Sequence, residues 1–172
     1  MQTLAVICPL DISPGDRQWI DAIRVRHDPQ YRRVEPHFTL VFPVQGVTEA
    51  VISRRAQTVA ATTPAIDFRL SASRSVADAF GPRTHTFLMP DKGDADIRAL
   101  HDALYRGELA ASLRMDIPYD PHVTVGAFDR LSDAEAALAD MGRFEIEGRL
   151  QVLQLMSVDA DEIRPLRAFP LR

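Results

Sequence analysis

Two segments of the chain repeat one pattern: EPHFTLVF at residues 35–42 and DPHVTVGAF at residues 120–128. In each, an acidic residue and a proline precede a histidine, and the residues that follow are largely apolar or β-branched, which is typical of a strand. Proline is tolerated at the start of a strand. The pattern therefore predicts two strands that both begin with a Pro-His-x-Thr motif.

The alternation of side chains along a strand predicts how each motif is presented. His37 and Thr39 should share one face of their strand, and His122 and Thr124 should share one face of theirs. The residue between the members of each pair should face the core. If the two strands pack together, two histidines and two threonines line one cleft.

That set of side chains suits displacement at phosphorus. The reaction needs a base for the attacking oxygen, an acid for the leaving oxygen and donors for the non-bridging oxygens. Histidine titrates near neutrality, so two histidines can perform both proton transfers without a metal ion. A single HxT is most often a surface feature, but two copies in a chain with five histidines favour a catalytic role.

Other sites of chemistry have little support in the sequence. No CxxC, HxxxH or HExxH is present to bind zinc, and only two histidines with a remote carboxylate remain as a formal alternative. GxGxxG, GxxxxGK[ST] and GxSxG are absent as well. We therefore expect no cofactor and no metal.

Length and composition predict one folded unit. The chain has 172 residues, of which 46% are hydrophobic, and we expect a single two-lobed domain over residues 1–172. The N-terminus lacks the basic and long apolar regions of a signal peptide, and no apolar run is long enough to span a membrane. Because the lone Cys8 lies in an apolar run, we expect a buried thiol and a cytoplasmic protein.

The net charge of −4 bears on the partners. Proteins that bind long nucleic acids by releasing counterions usually carry the opposite balance, so no long duplex is expected as a ligand. A nucleotide or a nucleic acid terminus fits better. We expect no membrane partner and a monomer.

The remaining segments predict an α+β order. Strands are expected at 3–9, 37–44, 65–76, 84–90, 122–128, 145–158 and 163–171, and helices at 17–28, 48–62, 93–112 and 131–144. Trp19, Ile20, Ile23 and Val25 form the apolar side of the first helix. Ser132 and Glu135 predict a capping box. The chain divides approximately into halves near residue 86, and the Gly-Pro loop FGPR at 80–83 could fold over a pocket.

The paired motifs resemble those of the two-histidine (2H) phosphoesterase superfamily, which includes the 2'-5' RNA ligase-like proteins and the cyclic nucleotide phosphodiesterases. LAVICPL, EPHFTLVFPV, YDPHVTVGAF and the closing LQVLQLMSVDADEIRPLRAFPL are similar to strands of that family, so the resemblance covers nearly the whole chain. It implies a bilobal α+β fold. Two pseudo-twofold-related lobes of mostly antiparallel sheet, with helices outside, would enclose a central cleft that carries the two HxT motifs.

The resemblance also implies an activity in RNA processing: metal-independent hydrolysis, or reversible formation, of 2',3'-cyclic phosphates or 2'-5' phosphodiesters of nucleotides or RNA ends. His37 would be the acid and His122 the base, while Thr39 and Thr124 would bind the phosphate. The mildly acidic chain favours a small cyclic phosphate over tRNA or long RNA. Two alternatives stay open: a nucleotide or RNA-end-binding module with little catalysis, and a phosphoesterase that acts on a non-nucleotide metabolite.

Further residues are candidates for substrate contacts. His85 lies on a predicted strand, on the face opposite to its two threonine neighbours, and Arg83 could reach a phosphate through its planar guanidinium. Tyr119 and Phe42 could stack on a base. The remaining histidines, His27 and His101, are expected to be solvated and are assigned no role.

Overall fold

The computed structural model describes residues 2–78 and 81–172, and it is an α+β structure. The strands are β1 (Leu4–Pro9), β2 (Asp11–Ile12), β3 (His37–Val44), β4 (Ile66–Ala77), β5 (Thr84–Lys92), β6 (Val123–Phe128), β7 (Ile146–Leu150), β8 (Val152–Val158) and β9 (Ile163–Pro170). The helices are α1 (Pro14–His27), α2 (Glu49–Thr62), α3 (Asp94–Leu104) and α4 (Leu131–Met141), with a 3₁₀ helix at Gly107–Ser112.

Two antiparallel sheets are formed. The first has the order β3-β1-β8-β9 and the second has the order β2-β7-β4-β5-β6. The two motif strands, β3 and β6, are each an edge strand of their own sheet. They also contact each other, so the sheets meet along the strands that carry the motifs.

The repeated unit is a strand, a helix and a motif strand: β1-α1-β3 in the first sheet and β5-α3-β6 in the second. The sheets are not consecutive halves of the chain. Strand β4, from the first half, joins the second sheet, while β8 and β9 join the first sheet. The predicted division near residue 86 is therefore wrong as a boundary between lobes, and it falls inside β5.

One apolar core lies behind both motif strands. Phe38 of β3 meets Phe68 of β4 edge to face, with ring centroids 5.4 Å apart, and Val123 of β6 is fully buried in the same cluster. Cys8 is buried there as predicted, and burial raises the pKa of its thiol to about 12. The thiol therefore behaves as a small hydrophobic group rather than as a nucleophile.

The helix ends follow the sequence only in part. Ser13 caps α1 by accepting a hydrogen bond from the Asp16 amide, as its position predicts. The predicted capping box in α4 is wrong, because the helix begins at Leu131 after Arg130 and places Ser132 inside its first turn. The predicted helix at 93–112 is two elements, because α3 ends at Leu104 and the 3₁₀ helix begins at Gly107, which adopts a positive φ of 67°.

Two other local predictions are also corrected. Val25 is 55% exposed, so it does not belong to the buried side of α1. The predicted strand at 145–158 is two strands that separate at Gln151, and β7 and β8 lie in different sheets. The predicted FGPR loop includes Phe80, which lies outside the described residues. No helix within residues 2–78 and 81–172 is long and apolar enough to cross a membrane.

Candidate active site

The contact between β3 and β6 brings the two halves of the candidate site to one junction. The first motif, residues 35–39, leads into β3, and the second motif, residues 120–124, leads into β6. His37 and His122 are both half-buried, as are Thr39 and Thr124. The charge of His37 is close enough to lower the pKa of His122.

The two motif histidines are held in the same way. The Nδ1 atom of His37 lies 2.7 Å from the carbonyl oxygen of Glu35, and the Nδ1 atom of His122 lies 2.6 Å from that of Asp120. A carbonyl oxygen can only accept, so each Nδ1 must be the protonated nitrogen. Each neutral imidazole then has an unprotonated Nε2, which is the atom available for proton transfer. The acidic residue of each motif thus contributes its backbone carbonyl to the site.

A β-bulge follows the threonine of each motif. The pairing of β3 with β1 slips by one residue at Leu40, between Thr39 and Val41. The pairing of β6 with β5 slips by one residue at Val125, between Thr124 and Gly126. Bulges disrupt alternation locally and re-aim side chains, and they are frequent beside active sites. Strict alternation therefore holds from the histidine to the threonine of each motif and ends there.

Burial sets the protonation state of both histidines. It is the main reason why the pKa of His122 falls to about 4, and the charges of His37 and His85 lower it further, while the Asp120 carbonyl and carboxylate oppose the change. Burial also lowers the pKa of His37, which the Glu35 carbonyl raises, and the charges of Arg24 and Asp28 act on it in opposite directions. Both imidazoles are therefore neutral at pH 7 in the free protein.

A buried ion pair supports the first motif. Arg24 of α1 is 2% exposed, and its Nε donates to Asp28 at 2.8 Å. Its Nη2 donates to the carbonyl oxygen of Val34, also at 2.8 Å, and so holds the segment that leads into His37. Asp28 in turn accepts from the amide of Gln30. The pair therefore fixes the loop between α1 and β3 at both ends.

A ring stack and exposed ion pairs support the second motif. Phe87 of β5 stacks on His122, with ring centroids 3.7 Å apart and an interplanar angle of 23°. The carboxylate of Asp120 accepts from Arg74 of β4 at 2.5 Å and from Arg98 of α3 at 2.7 Å. Arg98 also donates to the carbonyl oxygen of Tyr119. These contacts fix the chain on both sides of the histidine.

The candidates for substrate contacts fall in different places. His85 shares the His122 side of β5, because it alternates with buried Thr84 and Thr86, and its Nε2 lies 3.3 Å from Asp78. Arg83 lies at the other end of the β5-β6 pair. It is 3.4 Å from Asp129 and lines a cavity of about 450 Å³ together with Arg26, His27, Phe128 and Arg130. The structure thus brings His85 close enough for its charge to act on His122, while Arg83 lines a cavity that contains no motif residue.

The two aromatic candidates, Tyr119 and Phe42, make contacts within the protein. The hydroxyl of Tyr119 donates to the carbonyl oxygen of Thr39 at 2.9 Å, and its ring stacks on His101 with centroids 3.7 Å apart. Phe42 meets the edge of Tyr119 at 6.2 Å, and its amide donates to the hydroxyl of Tyr105. These contacts favour packing roles for both residues over stacking on a base.

His101 is buried, and the prediction that it is solvated is wrong. It is 2% exposed rather than solvated, and its Nδ1 donates to the carbonyl oxygen of Leu40 at 2.8 Å. Its position was readable from the sequence, because Ile97, Leu100, His101 and Leu104 follow the i, i+3, i+4, i+7 spacing of a buried helix face. His27 is half-buried and packs on Phe128, so it is not fully solvated either.

Phe87 and the Arg24–Asp28 pair also belong to the site, although no local pattern marked them. Phe87 lies within an apolar strand segment, and Arg24 and Asp28 are spaced i, i+4 at the end of a helix, which is a spacing typical of surface ion pairs. Among residues 2–78 and 81–172, no three or more His, Cys, Asp or Glu side chains are grouped so as to hold a metal ion.

Comparison with known families agrees with this arrangement. The model of the 2'-5' RNA ligase superfamily matches residues 12–162, which is most of the chain. The chain belongs to this superfamily. The predicted resemblance to the two-histidine phosphoesterases is thereby confirmed.

Several solved structures share the fold. The chain superposes on E. coli LigT complexed with 3'-AMP with a TM-score of 0.62, at 19% identity, covering 99% of this chain and 98% of that one. It superposes on TT0787 of Thermus thermophilus with a TM-score of 0.67, at 16% identity, covering 99% of this chain and 98% of that one. The predicted α+β class with antiparallel sheets is confirmed.

The match to a curated relative covers a smaller share of the chain than the matches to solved structures do. A protein of Geobacillus kaustophilus named "Putative phosphoesterase" is 24% identical over 112 residues, which is 64% of this chain. The match spans 61% of that relative, so the chain covers less than two thirds of its length.

Proposed function

We propose that the protein is a metal-independent phosphoesterase that hydrolyses, or reversibly forms, 2',3'-cyclic phosphate or 2'-5' phosphodiester bonds of nucleotides or RNA ends. One observation carries the proposal: two histidines with the same backbone-fixed tautomer lie at the starts of adjoining edge strands, His37 as the first residue of β3 and His122 immediately before β6, each with a threonine two residues later. The proposed extent is a single two-lobed domain over residues 1–172.

In the hydrolytic direction, His122 is the base and His37 is the acid. The Nε2 atom of His122 accepts a proton from water as the water oxygen bonds to phosphorus. Protonated His37 gives its Nε2 proton to the ribose oxygen as the bond from that oxygen to phosphorus breaks. The hydroxyls of Thr39 and Thr124 donate to the non-bridging oxygens, where negative charge increases. In the reverse direction the two histidines exchange roles.

The electrostatics support this division. The low pKa of His122 keeps it unprotonated at neutral pH, as a base must be. The acid has to be protonated, and the pKa of free His37 is lowered by burial. A bound phosphodiester carries a negative charge, and a nearby negative charge raises the pKa of an imidazole. Substrate binding therefore favours the protonated form of His37 just when it is needed.

A nucleotide is the substrate class that we favour. The family neighbour LigT has been solved with 3'-AMP, with ATP and with NADP+, and also with phosphate. Those structures concern LigT, but its fold is shared here. The proposed substrate contact is His85, whose charge acts on His122, while Arg83 is close to Asp129 and lines a cavity that contains no motif residue.

The decisive test is hydrolysis of a panel of nucleoside 2',3'-cyclic phosphates in the presence of EDTA. We expect turnover by the wild type, and a loss of about 10²- to 10⁴-fold in kcat for His37→Ala and for His122→Ala, because each removes one proton-transfer group. His101→Asn is not a suitable control, because that side chain is buried in the structure. His27→Gln is better, since His27 lies outside both motifs, is only half-buried and packs on Phe128, the last residue of β6.

Three outcomes separate the alternatives. Retained turnover in either motif variant contradicts the two-histidine mechanism. Tight binding of a cyclic phosphate by calorimetry, with no product by mass spectrometry, would identify a binding module instead. Turnover of a non-nucleotide phosphodiester that exceeds all nucleotides would keep the mechanism and replace the substrate class.

A further inference from the structure

The residues that join the two motifs are not the motif residues themselves. Tyr119 immediately precedes the second motif, and its hydroxyl donates to the carbonyl oxygen of Thr39 in the first motif at 2.9 Å. His101 of α3 donates to the next carbonyl oxygen, that of Leu40, at 2.8 Å. Two consecutive carbonyl groups of β3 are therefore bound from outside their own sheet.

The bulge in β3 explains why the carbonyl group of Leu40 needs a partner. Leu40 is the extra residue in the pairing of β3 with β1, so its backbone groups lack the regular ladder partners. Leu40 is fully buried, where an unpaired carbonyl group is costly. His101 supplies the missing hydrogen bond to that carbonyl group.

The two side chains also act as one unit. Their rings are stacked with centroids 3.7 Å apart and an interplanar angle of 1°. Burial lowers the pKa of His101 and raises that of Tyr119, so the imidazole is neutral and the phenol stays protonated near pH 7. Both groups can then donate without a change in protonation. Arg98, one turn before His101, holds the carbonyl oxygen of Tyr119 and the carboxylate of Asp120.

We propose that Tyr119 and His101 form a positioning clamp that sets the spacing between the two motif histidines. Tyr119 ties the second motif to the Thr39 carbonyl, and His101 fixes the bulge beside it. Neither residue touches the reacting atoms. The clamp acts through the backbone of β3 and through His122, three residues after Tyr119. This role in catalysis rests on the proposed function, but the spacing itself can be measured without turnover.

The primary test is a cycle of histidine titrations by NMR. In the wild-type background, His37→Gln removes a neighbouring positive charge and should raise the pKa of His122. The Tyr119→Phe background keeps the ring but removes the hydroxyl. There we expect His37→Gln to increase the pKa of His122 by half as much or less. The clamp is overturned if the rise is the same in both backgrounds.

Tyr105→Phe is the matched control. It removes another phenol that bonds to β3, at the amide of Phe42, and its ring also packs against His101, but it makes no link to the second motif. We expect the rise in the pKa of His122 to be unchanged in this background. An equal reduction in both tyrosine backgrounds would show general loosening of β3 and would contradict the clamp.

Kinetics provide a second readout. If cyclic phosphates are turned over, Tyr119→Phe should lower kcat about tenfold and change KM less than twofold, because geometry between the histidines is lost while the binding groups remain. Tyr105→Phe should leave kcat within twofold of wild type. A kcat of Tyr119→Phe equal to that of wild type overturns the clamp. An inactive wild type contradicts the proposed function alone, and the titration cycle still decides on the clamp.

Discussion

The two motifs share a local geometry but differ in what supports it. In both, Nδ1 of the histidine is bound by a carbonyl two residues earlier, and a bulge follows the threonine. Behind the first motif lies the buried Arg24–Asp28 pair. Behind the second lie the ring of Phe87 and the partly exposed Asp120 with its two arginines.

The comparison shows that the local backbone geometry of the motifs is repeated, while the groups that support it are not. The tautomer and the bulge depend on the backbone close to each motif, and the motif sequence repeats. Most of the supporting groups lie on α1, β5 and α3, which belong to the repeated unit but differ in sequence between the two copies, so packing and charge differ on the two sides. We expect stability to depend more on the first support and histidine orientation to depend more on the second.

The largest expected effect is on stability at the first motif. Asp28→Asn leaves the Arg24 guanidinium buried without its counter-charge, so the free energy of unfolding should fall by about 3–5 kcal/mol. Asp120→Asn is the counterpart at the second motif, and because its ion pairs are 40–50% exposed it should cost no more than about 1 kcal/mol. Urea unfolding of both variants measures the difference. Equal losses would contradict the contrast between buried and exposed supports.

The dependence of kcat/KM on pH should reflect the protonation of both motif histidines. The proposed mechanism requires one protonated and one neutral histidine, and burial lowers the pKa of both below the usual value of about 6.5. The plot of kcat/KM against pH should therefore be a bell with its maximum on the acidic side of that value, falling about tenfold per pH unit above both pKa values. A maximum above pH 7 would contradict the lowered pKa values.

A variant of His85 sharpens that profile. The positive charge of His85 lowers the pKa of His122, so His85→Gln should raise this pKa and move one limb of the bell to higher pH. The profile of kcat should lie at higher pH than that of kcat/KM, because the bound phosphodiester raises the pKa of the histidines.

The smallest effect is expected at the ring that supports His122. Phe87→Ala removes a stack that is worth about 0.5–1.5 kcal/mol, so kcat should fall about 2- to 10-fold as the imidazole loses orientation. Phe87→Tyr keeps the ring and should retain wild-type kcat. Steady-state kinetics of the pair provide the measurement, and an unchanged kcat in the alanine variant would remove Phe87 from the site.

Much of the fold follows from local patterns, but the sheet membership does not. The strands at Leu4–Pro9 and His37–Val44 and the helix at Glu49–Thr62 lie within a residue or two of their predicted bounds. The segment 145–158 looks continuous because both of its strands are half apolar, and only pairing with β4 and with β1 assigns its two parts to different sheets. Such pairings join residues far apart in sequence, so short-range periodicity cannot predict them.

By itself, the sequence determined that a strand starts at or just after the histidine of each Pro-His-x-Thr motif, and that a buried residue separates each histidine from its threonine, because side-chain alternation is a local property of the extended chain. Only the tertiary structure decided that β3 and β6 adjoin as edge strands, that a bulge follows each threonine, and that His101 is buried against Leu40. These features depend on desolvation and on long-range pairing. They form only when distant segments of the chain pack together.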